Sequence, residues 1–195
     1  MLPAGVPPSF GKELAPGDLP IDALVPPKAT ANDEWFAQTA VGQTVVVTYT
    51  IGSAPFAQGH GLVVWRAYPA GRPPWRAQYG FADPSKAGVL GVDVAIGDAT
   101  GDGSPDALTF ESTGGSGACG AYRLVDLVAA ASVYEHDVCD ATIDLSVDPV
   151  GLLLREAVYR PDDPHCCPSS FRISQLEWNG KRFAVTNEEL RHASG

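Results

Sequence analysis

Residues 91–111 read GVDVAIGDATGDGSPDALTFE, and the fold turns on how they are read. The two ends, GVDVAI and DALTFE, are short runs rich in Val, Ile, Thr and Phe, the composition of β-strands. Between them, acidic or hydroxyl side chains recur at every second position. Counting Asp98 as position 1, oxygens fall at Asp98, Thr100, Asp102, the Ser104 carbonyl and Asp106. Gly101 and Gly103 permit the tight, partly left-handed turn that lets alternate residues converge on one point. Short loops wrap a hard cation such as calcium in this way. An EF-hand would also need a bidentate Glu at position 12 and a helix on each side. Thr109 stands at position 12 and both flanks are strand-like, so the EF-hand is excluded. The plainer alternative is an Asp/Gly turn without metal, but three converging carboxylates would then repel one another.

The pattern of Asp98, Gly101, Asp102, Gly103 and Asp106 followed by an apolar residue resembles the Asp-x-x-Gly-Asp-Gly-x-x-Asp calcium loop of FG-GAP and VCBS repeats, found in integrin-like propeller blades. The match covers residues 94–110, with Thr100 where Asn or Asp is more usual. The resemblance implies a structural Ca2+ site at Asp98, Thr100, Asp102, Ser104 and Asp106 that pins the start of an inner strand. With one neutral hydroxyl and three carboxylates, its affinity is expected in the roughly 10⁻⁴–10⁻³ M range of extracellular modules.

Outward from this hairpin the chain reads as strand after strand. The expected strands are 34–39, 44–50, 61–68, 75–81, 91–96 and 106–111, then 121–128, 132–138, 142–147, 152–160, 170–178 and 182–186. Gly, Pro, Asp and Asn punctuate them. The Asn179-Gly180 step predicts a hairpin with a type I′ turn. The one helical candidate, 126–131, is short and alanine-rich. The strands group into about three antiparallel meanders, the first running through 44–96, the second through 106–147 and the third through 152–186. Strand 34–39 is expected to complete the third and so join the two ends. The predicted class is therefore all-β, with blade-like repeats in a small propeller-like arrangement; a β-sandwich is the alternative.

Composition agrees with that class. The chain has 195 residues, 45% hydrophobic, with 21 Gly and 17 Pro against only 18% charged residues, a balance that disfavours a helical bundle. Residues 1–30 form a Pro-rich arm or tether, with apolar Leu19, Ile21, Leu24 and Val25 available for docking. The single β domain is expected over 31–190, with a short tail at 191–195. The formal net charge of −10 comes without any Lys/Arg cluster, which excludes nucleic acid as a partner. No run has the length of a transmembrane helix. The opening residues carry neither a basic n-region nor an apolar h-region, so an exported form would be a mature one, its signal or lipid anchor lying upstream.

Four cysteines, Cys119, Cys139, Cys166 and Cys167, read as disulfides in an oxidising compartment. A Cys119–Cys139 bond would close a hairpin-sized loop, worth about 3 kcal/mol in the chain-entropy model. It would leave the adjacent Cys166 and Cys167 to each other, with Cα atoms only ~3.8 Å apart. The alternative is two long bridges from 119 and 139 to the adjacent pair. The stretch Asp163-Pro164-His165-Cys166-Cys167-Pro168-Ser169, followed by Trp178-Asn179-Gly180 and Arg182-Phe183, resembles a motif of exported actinobacterial proteins and lipoproteins of unknown function. The 111–120 segment looks like part of the same family. The resemblance implies an extracytoplasmic, secreted or lipid-anchored protein and no particular activity.

Other candidates are weaker. Ser116 nearly mimics a nucleophile elbow, but Ala118 takes the last glycine position and no helix follows. Adjacent cysteines converge poorly on a tetrahedral zinc. His60, His136 and His192 stand apart, Glu34, Glu111 and Glu177 have no spacing of a glycosidase pair, and Trp65, Tyr68, Trp75 and Tyr79 suit a core as well as a sugar-stacking face. No catalytic residue is assigned. The residues favour a non-enzymatic, calcium-stabilised binding or structural module, with a cell-envelope protein or glycan as partner. The rival expectations are a hydrolase of cell-wall or carbohydrate substrate and a thiol-redox sensor at Cys166–Cys167. Oligomeric state is not legible.

Overall fold

The computed structural model describes residues 21–52, 58–68, 75–83, 89–114, 118–164 and 167–193. After a short 3-10 helix, Ile21–Ala23, come twelve strands: β1 (Ala29–Thr39), β2 (Gly42–Ile51), β3 (Gly59–Ala67), β4 (Trp75–Asp83), β5 (Gly91–Gly97), β6 (Asp106–Gly114), β7 (Cys119–Asp126), β8 (Ala131–Val138), β9 (Ala141–Val147), β10 (Val150–Val158), β11 (Ser170–Trp178) and β12 (Phe183–His192). They form three four-stranded sheets, β1 to β4, β5 to β8 and β9 to β12, each a simple meander. The pairing is antiparallel throughout. The all-β, three-repeat expectation holds. A two-sheet sandwich does not, because three sheets are stacked.

The grouping differs from the expected one by a single strand. Residues 34–39 belong to β1 and pair with β2 in the first sheet, rather than with the last strand. The third sheet is instead completed by β9, paired with β10, and among the described residues no sheet closes the ends into a ring. The reason lies in β1 itself. Its first half carries the polar run Asn32-Asp33-Glu34 and a register shift between Ala31 and Glu34, so it reads weakly, and counting from the apolar run at 44 starts one strand late.

The alternation of side chains along each strand explains the stack. In the first sheet, Ala37, Val46, Leu62 and Val64 meet Val94, Ile96, Ala107 and Val125 of the middle sheet. The opposite face of the middle sheet, with Ala95, Leu108, Tyr122 and Leu124, meets Ile143, Leu152, Leu154 and Leu176 of the third. Successive residues Ala107, Leu108 and Thr109 of β6 are therefore all buried. Each fully buried Leu or Val contributes about 1.5–3 kcal/mol.

The outer face of the first sheet, with Phe36, Val45, Val47 and Tyr49, is covered by Leu24 and Val25, and Trp65 Nε1 donates to the Leu24 carbonyl at 2.8 Å. The apolar end of the arm thus docks; Leu19 lies outside the described residues. Arg66 adds a bolt between sheets, donating from one nitrogen to the carbonyls of Leu127 and Val128 at 2.8 Å each. A second polar joint sits deeper. Arg123 bonds Glu111 at 2.5 Å and Glu135 at 3.1 Å while lying 4.4 Å over the Phe81 ring.

Two turns refine the reading. Residues 127–130 form the β7–β8 turn and no helix, held by Asp126 Oδ1, which accepts from Val128 and Ala129 at 2.7 and 2.8 Å. The Asn179-Gly180 hairpin exists, but Trp178 pairs with Phe183, so the loop is four residues rather than a two-residue type I′ turn. Gly180 has φ 86°, while Asn179 spends its Oδ1 on the amides of Lys181 and Arg182 at 3.0 and 2.9 Å. That side-chain cap favours the wider turn. β12 runs on to His192, past the expected 186; its charged Glu188, Glu189 and Arg191 suit an exposed edge strand.

Candidate functional site

The loop over 98–105 joins β5 to β6 in the middle sheet, as the sequence predicts for a strand-to-strand ion loop. Gly101 and Gly103 have φ of 75° and 82°, the left-handed conformations that the alternating pattern requires. Asp98 accepts from Gly101 N at 2.6 Å and Gly103 N at 3.0 Å, and Asp102 accepts from Ser104 N at 2.7 Å. Asp106 Oδ2 accepts from Ala99 N at 2.9 Å and Thr100 N at 3.0 Å. The carboxylates are thus turned towards loop amides. Among the described residues no three His, Cys, Asp or Glu side chains close on one metal-sized point as they stand.

Asp106 is 1% exposed. Burial pushes its carboxyl up to about 7; the amides of Ala99 and Thr100 pull it down, and the charge of Asp126, its neighbour across β6 and β7, pushes it up again. Thr100 Oγ1 is shut off from solvent and makes no hydrogen bond of ordinary length, though it lies near enough to Asp106 to favour the ionised form. A buried carboxylate beside a buried hydroxyl of this kind is costly without a compensating group.

The loop touches both flanking sheets. Ser104 Oγ accepts from Ala40 N, in the β1–β2 turn, at 3.3 Å. On the other side, a Cβ at Gly97 would lie 3.0 Å from Leu145, and one at Gly101 3.8 Å from Val150, residues that flank the β9–β10 turn. Ala99, 1% exposed, is part of the core between the middle and third sheets.

Cys119 and Cys139 are disulfide-bonded. Gly120 pairs with Val138 in the β7–β8 register, so the next residue on each chain segment meets its partner at the same sheet end. This is the local pairing rather than the long one. Cys166 and His165 lie outside the described residues. Cys167 N donates to Pro164 O at 2.9 Å, and Asp163 closes the segment by accepting from Arg160 N and Ser169 N at 2.8 Å each and Ser169 Oγ at 2.6 Å. The Ser169 hydroxyl, then the Arg160 amide, hold the Asp163 carboxyl below its usual range.

The weaker candidates scatter. Ser116 lies outside the described residues. His60, His136 and His192 belong to three different sheets, as do Glu34, Glu111 and Glu177. His192 Nδ1 lies 3.0 Å from Ser170 Oγ, and Glu177 accepts from Thr186 Oγ1 at 2.8 Å. Trp65, Trp75 and Tyr79 pack against core clusters, and Tyr68 lies under Arg76.

A feature the sequence reading missed is a cleft of about 380 Å³ where the leading strands of the three sheets meet. Asp33 and Trp35 come from β1, Val92, Asp93 and Val94 from β5, and Ile143 and Asp144 from β9, with Phe110 and Tyr122 behind them. Phe110 and Tyr122 are stacked with ring centroids 4.5 Å apart. Burial raises the pKa of the Tyr122 hydroxyl, a backbone hydrogen bond with Ile143 lowers it, and the charges of Asp144 and Asp93 raise it further. The signal was an aspartate within the leading strand of each repeat, hidden because the repeats were counted one strand out of phase. Comparison of the chain with protein-family models, with curated proteins and with solved structures finds no match.

Proposed function

We propose that this chain is an extracytoplasmic, non-enzymatic binding module whose three-sheet stack is clamped by one structural calcium ion at residues 98–106. The carrying observation is the position of the loop: it belongs to the middle sheet and lies against the first hairpin turn of each neighbour. The buried pair of Asp106 and Thr100 supports the same reading, because a cation would satisfy both oxygens. Asp98, half-buried, and Asp102, exposed, need only turn their carboxylates inward to complete an oxygen cage with the Ser104 carbonyl. The Cys119–Cys139 bond is compatible with a compartment outside the cytoplasm, and no helix among the described residues is long and apolar enough to cross a membrane. The partner on this reading is a component of the cell envelope.

Thermal melting in 10 mM calcium and in chelator tests the clamp. An affinity of roughly 10⁻⁴–10⁻³ M gives about 1.4–2.7 kcal/mol of added stability, or about 3–11 °C in Tm at roughly 2–4 °C per kcal/mol for a domain of this size. An unchanged Tm would reject the ion, and a shift produced equally by magnesium would reject a calcium-type cage.

A further inference from the structure

The cleft between the leading strands has the wrong chemistry for an empty joint between sheets. Its carboxylates come from all three sheets, Asp33, Asp93 and Asp144, and no Lys, Arg or His is among the residues that line it. All three are exposed, so they are solvated and accessible to a ligand. Asp33 sits in the irregular step of β1 between Ala31 and Glu34, and such bulges re-aim a side chain out of the regular pleat. The volume, about 380 Å³, falls in the range of small-ligand sites.

Between the carboxylates the walls are apolar and aromatic: Trp35, Val92 and Phe110 are half-buried at the surface, with the buried Val94, Tyr122 and Ile143 behind them. The three acids do not gather on one metal-sized point. An ion is therefore a poor occupant, and a molecule carrying separated positive charges on an apolar backbone is a good one. Ammonium groups pair with carboxylates at the cleft edges and are attracted to aromatic faces, while methylene segments displace water from the apolar walls. The formal charge of −10 on the chain steers such a cation inward.

We propose that this cleft binds a linear aliphatic polyamine, its ammonium groups on Asp33, Asp93 and Asp144 and its methylenes along Trp35, Val92 and Phe110. The proposal deepens the binding-module reading by naming the ligand class, and it rests on that reading only in supposing that the module has a ligand. Titration calorimetry at low salt, with calcium saturating, uses spermidine as the probe. The expected result is saturable one-to-one binding, weakened tenfold or more in Asp93→Asn/Asp144→Asn and changed less than twofold in Asp137→Asn/Asp162→Asn, two exposed aspartates outside both the cleft and the 98–106 loop.

On the unmodified protein, 1,8-diaminooctane is expected to bind at least tenfold more tightly than octylamine, a comparison that does not depend on any variant folding. The proposal is overturned if spermidine shows no saturable binding at 1 mM, if both variant pairs weaken it equally, if the diamine gains nothing over the monoamine, or if a tri-lysine peptide binds more tightly than spermidine. Loss of the calcium response with spermidine binding intact would overturn the clamp and leave the cleft standing.

Discussion

Each sheet opens with a hairpin, and the three hairpins solve the same turn differently. In the first sheet β1 reaches β2 through residues 40–41, and in the third β9 reaches β10 through 148–149; both are tight turns. In the middle sheet the connection is the long acidic loop 98–105, which leans on Ala40 on one side and towards Val150 on the other. The difference follows from position. The flanking sheets each bury one face against the stack, so their turns can stop at the sheet end. The middle sheet is buried on both faces, and its loop is placed to fasten both joints at once. On the proposed reading a single ion loop among three repeats is then sufficient, because this loop reaches both neighbouring sheets from the middle one.

The largest test removes that asymmetry. Replacing residues 98–105 with a two-residue turn like those of the neighbours takes Ala99 out of the core, removes the Ser104 contact and leaves the Asp106 carboxylate without its two amide donors. The expected loss is about 3–5 kcal/mol, the scale for a buried charge stripped of its partners, read from urea unfolding. A loss below about 1 kcal/mol would mean that the loop is decoration on an already complete stack.

Next in size is the staple at the other end of the same sheet. Cys119→Ser with Cys139→Ser is expected to cost about 3 kcal/mol. Asp106 and Gly114 bound β6, which puts roughly 26 Å of strand between loop and disulfide at ~3.3 Å per residue. The loss should therefore add to that of calcium removal within about 0.5 kcal/mol. Strong non-additivity would show the middle sheet acting as one unit rather than as two separately fastened ends.

Asp106→Asn discriminates more finely. The amide oxygen can keep the bonds from Ala99 and Thr100, while the charge that burial disfavours is gone. Melting in chelator should hold or rise, and the calcium shift should vanish. A calcium shift that survives would place the ion elsewhere than the 98–106 loop.

These contrasts also show what a bare sequence could carry. The period-two patterning of twelve strands and the tight Asp/Gly turn at 98–105 are local signals, and they were readable because each is set by residues a few positions apart. Even the docking of Leu24 and Val25 was within reach, since apolar residues in a proline-rich arm need a surface. The phase of the repeats was not readable: strand 34–39 stands out, but the polar run Asn32-Asp33-Glu34 before it gives no sign that it pairs with β2 rather than with the last strand. That error concealed Asp33, Asp93 and Asp144, which are far apart in the chain and become neighbours only when three leading strands are brought together. The Asn179 turn failed for a different reason, because a side-chain cap competes with backbone preference and dipeptide identity does not say which wins.

The smallest effect bears most directly on how the loop reaches the first sheet. Ser104→Ala deletes one half-buried bond, from Ala40 N to Ser104 Oγ, and should cost about 0.5–1.5 kcal/mol. Global unfolding would barely register it, so the measurement is amide hydrogen exchange within the 40–41 turn. Val41 N, whose acceptor is Thr39 Oγ1 in the same turn at 3.3 Å, serves as the internal reference. If the loop holds the turn, exchange at Ala40 should accelerate by up to about tenfold, the kinetic equivalent of ~1.4 kcal/mol, while Val41 stays unchanged. Equal acceleration at both amides would mean that the turn frays as a unit. No change at either would mean that the loop fastens only the third sheet, and the middle hairpin would then differ from its neighbours in length alone.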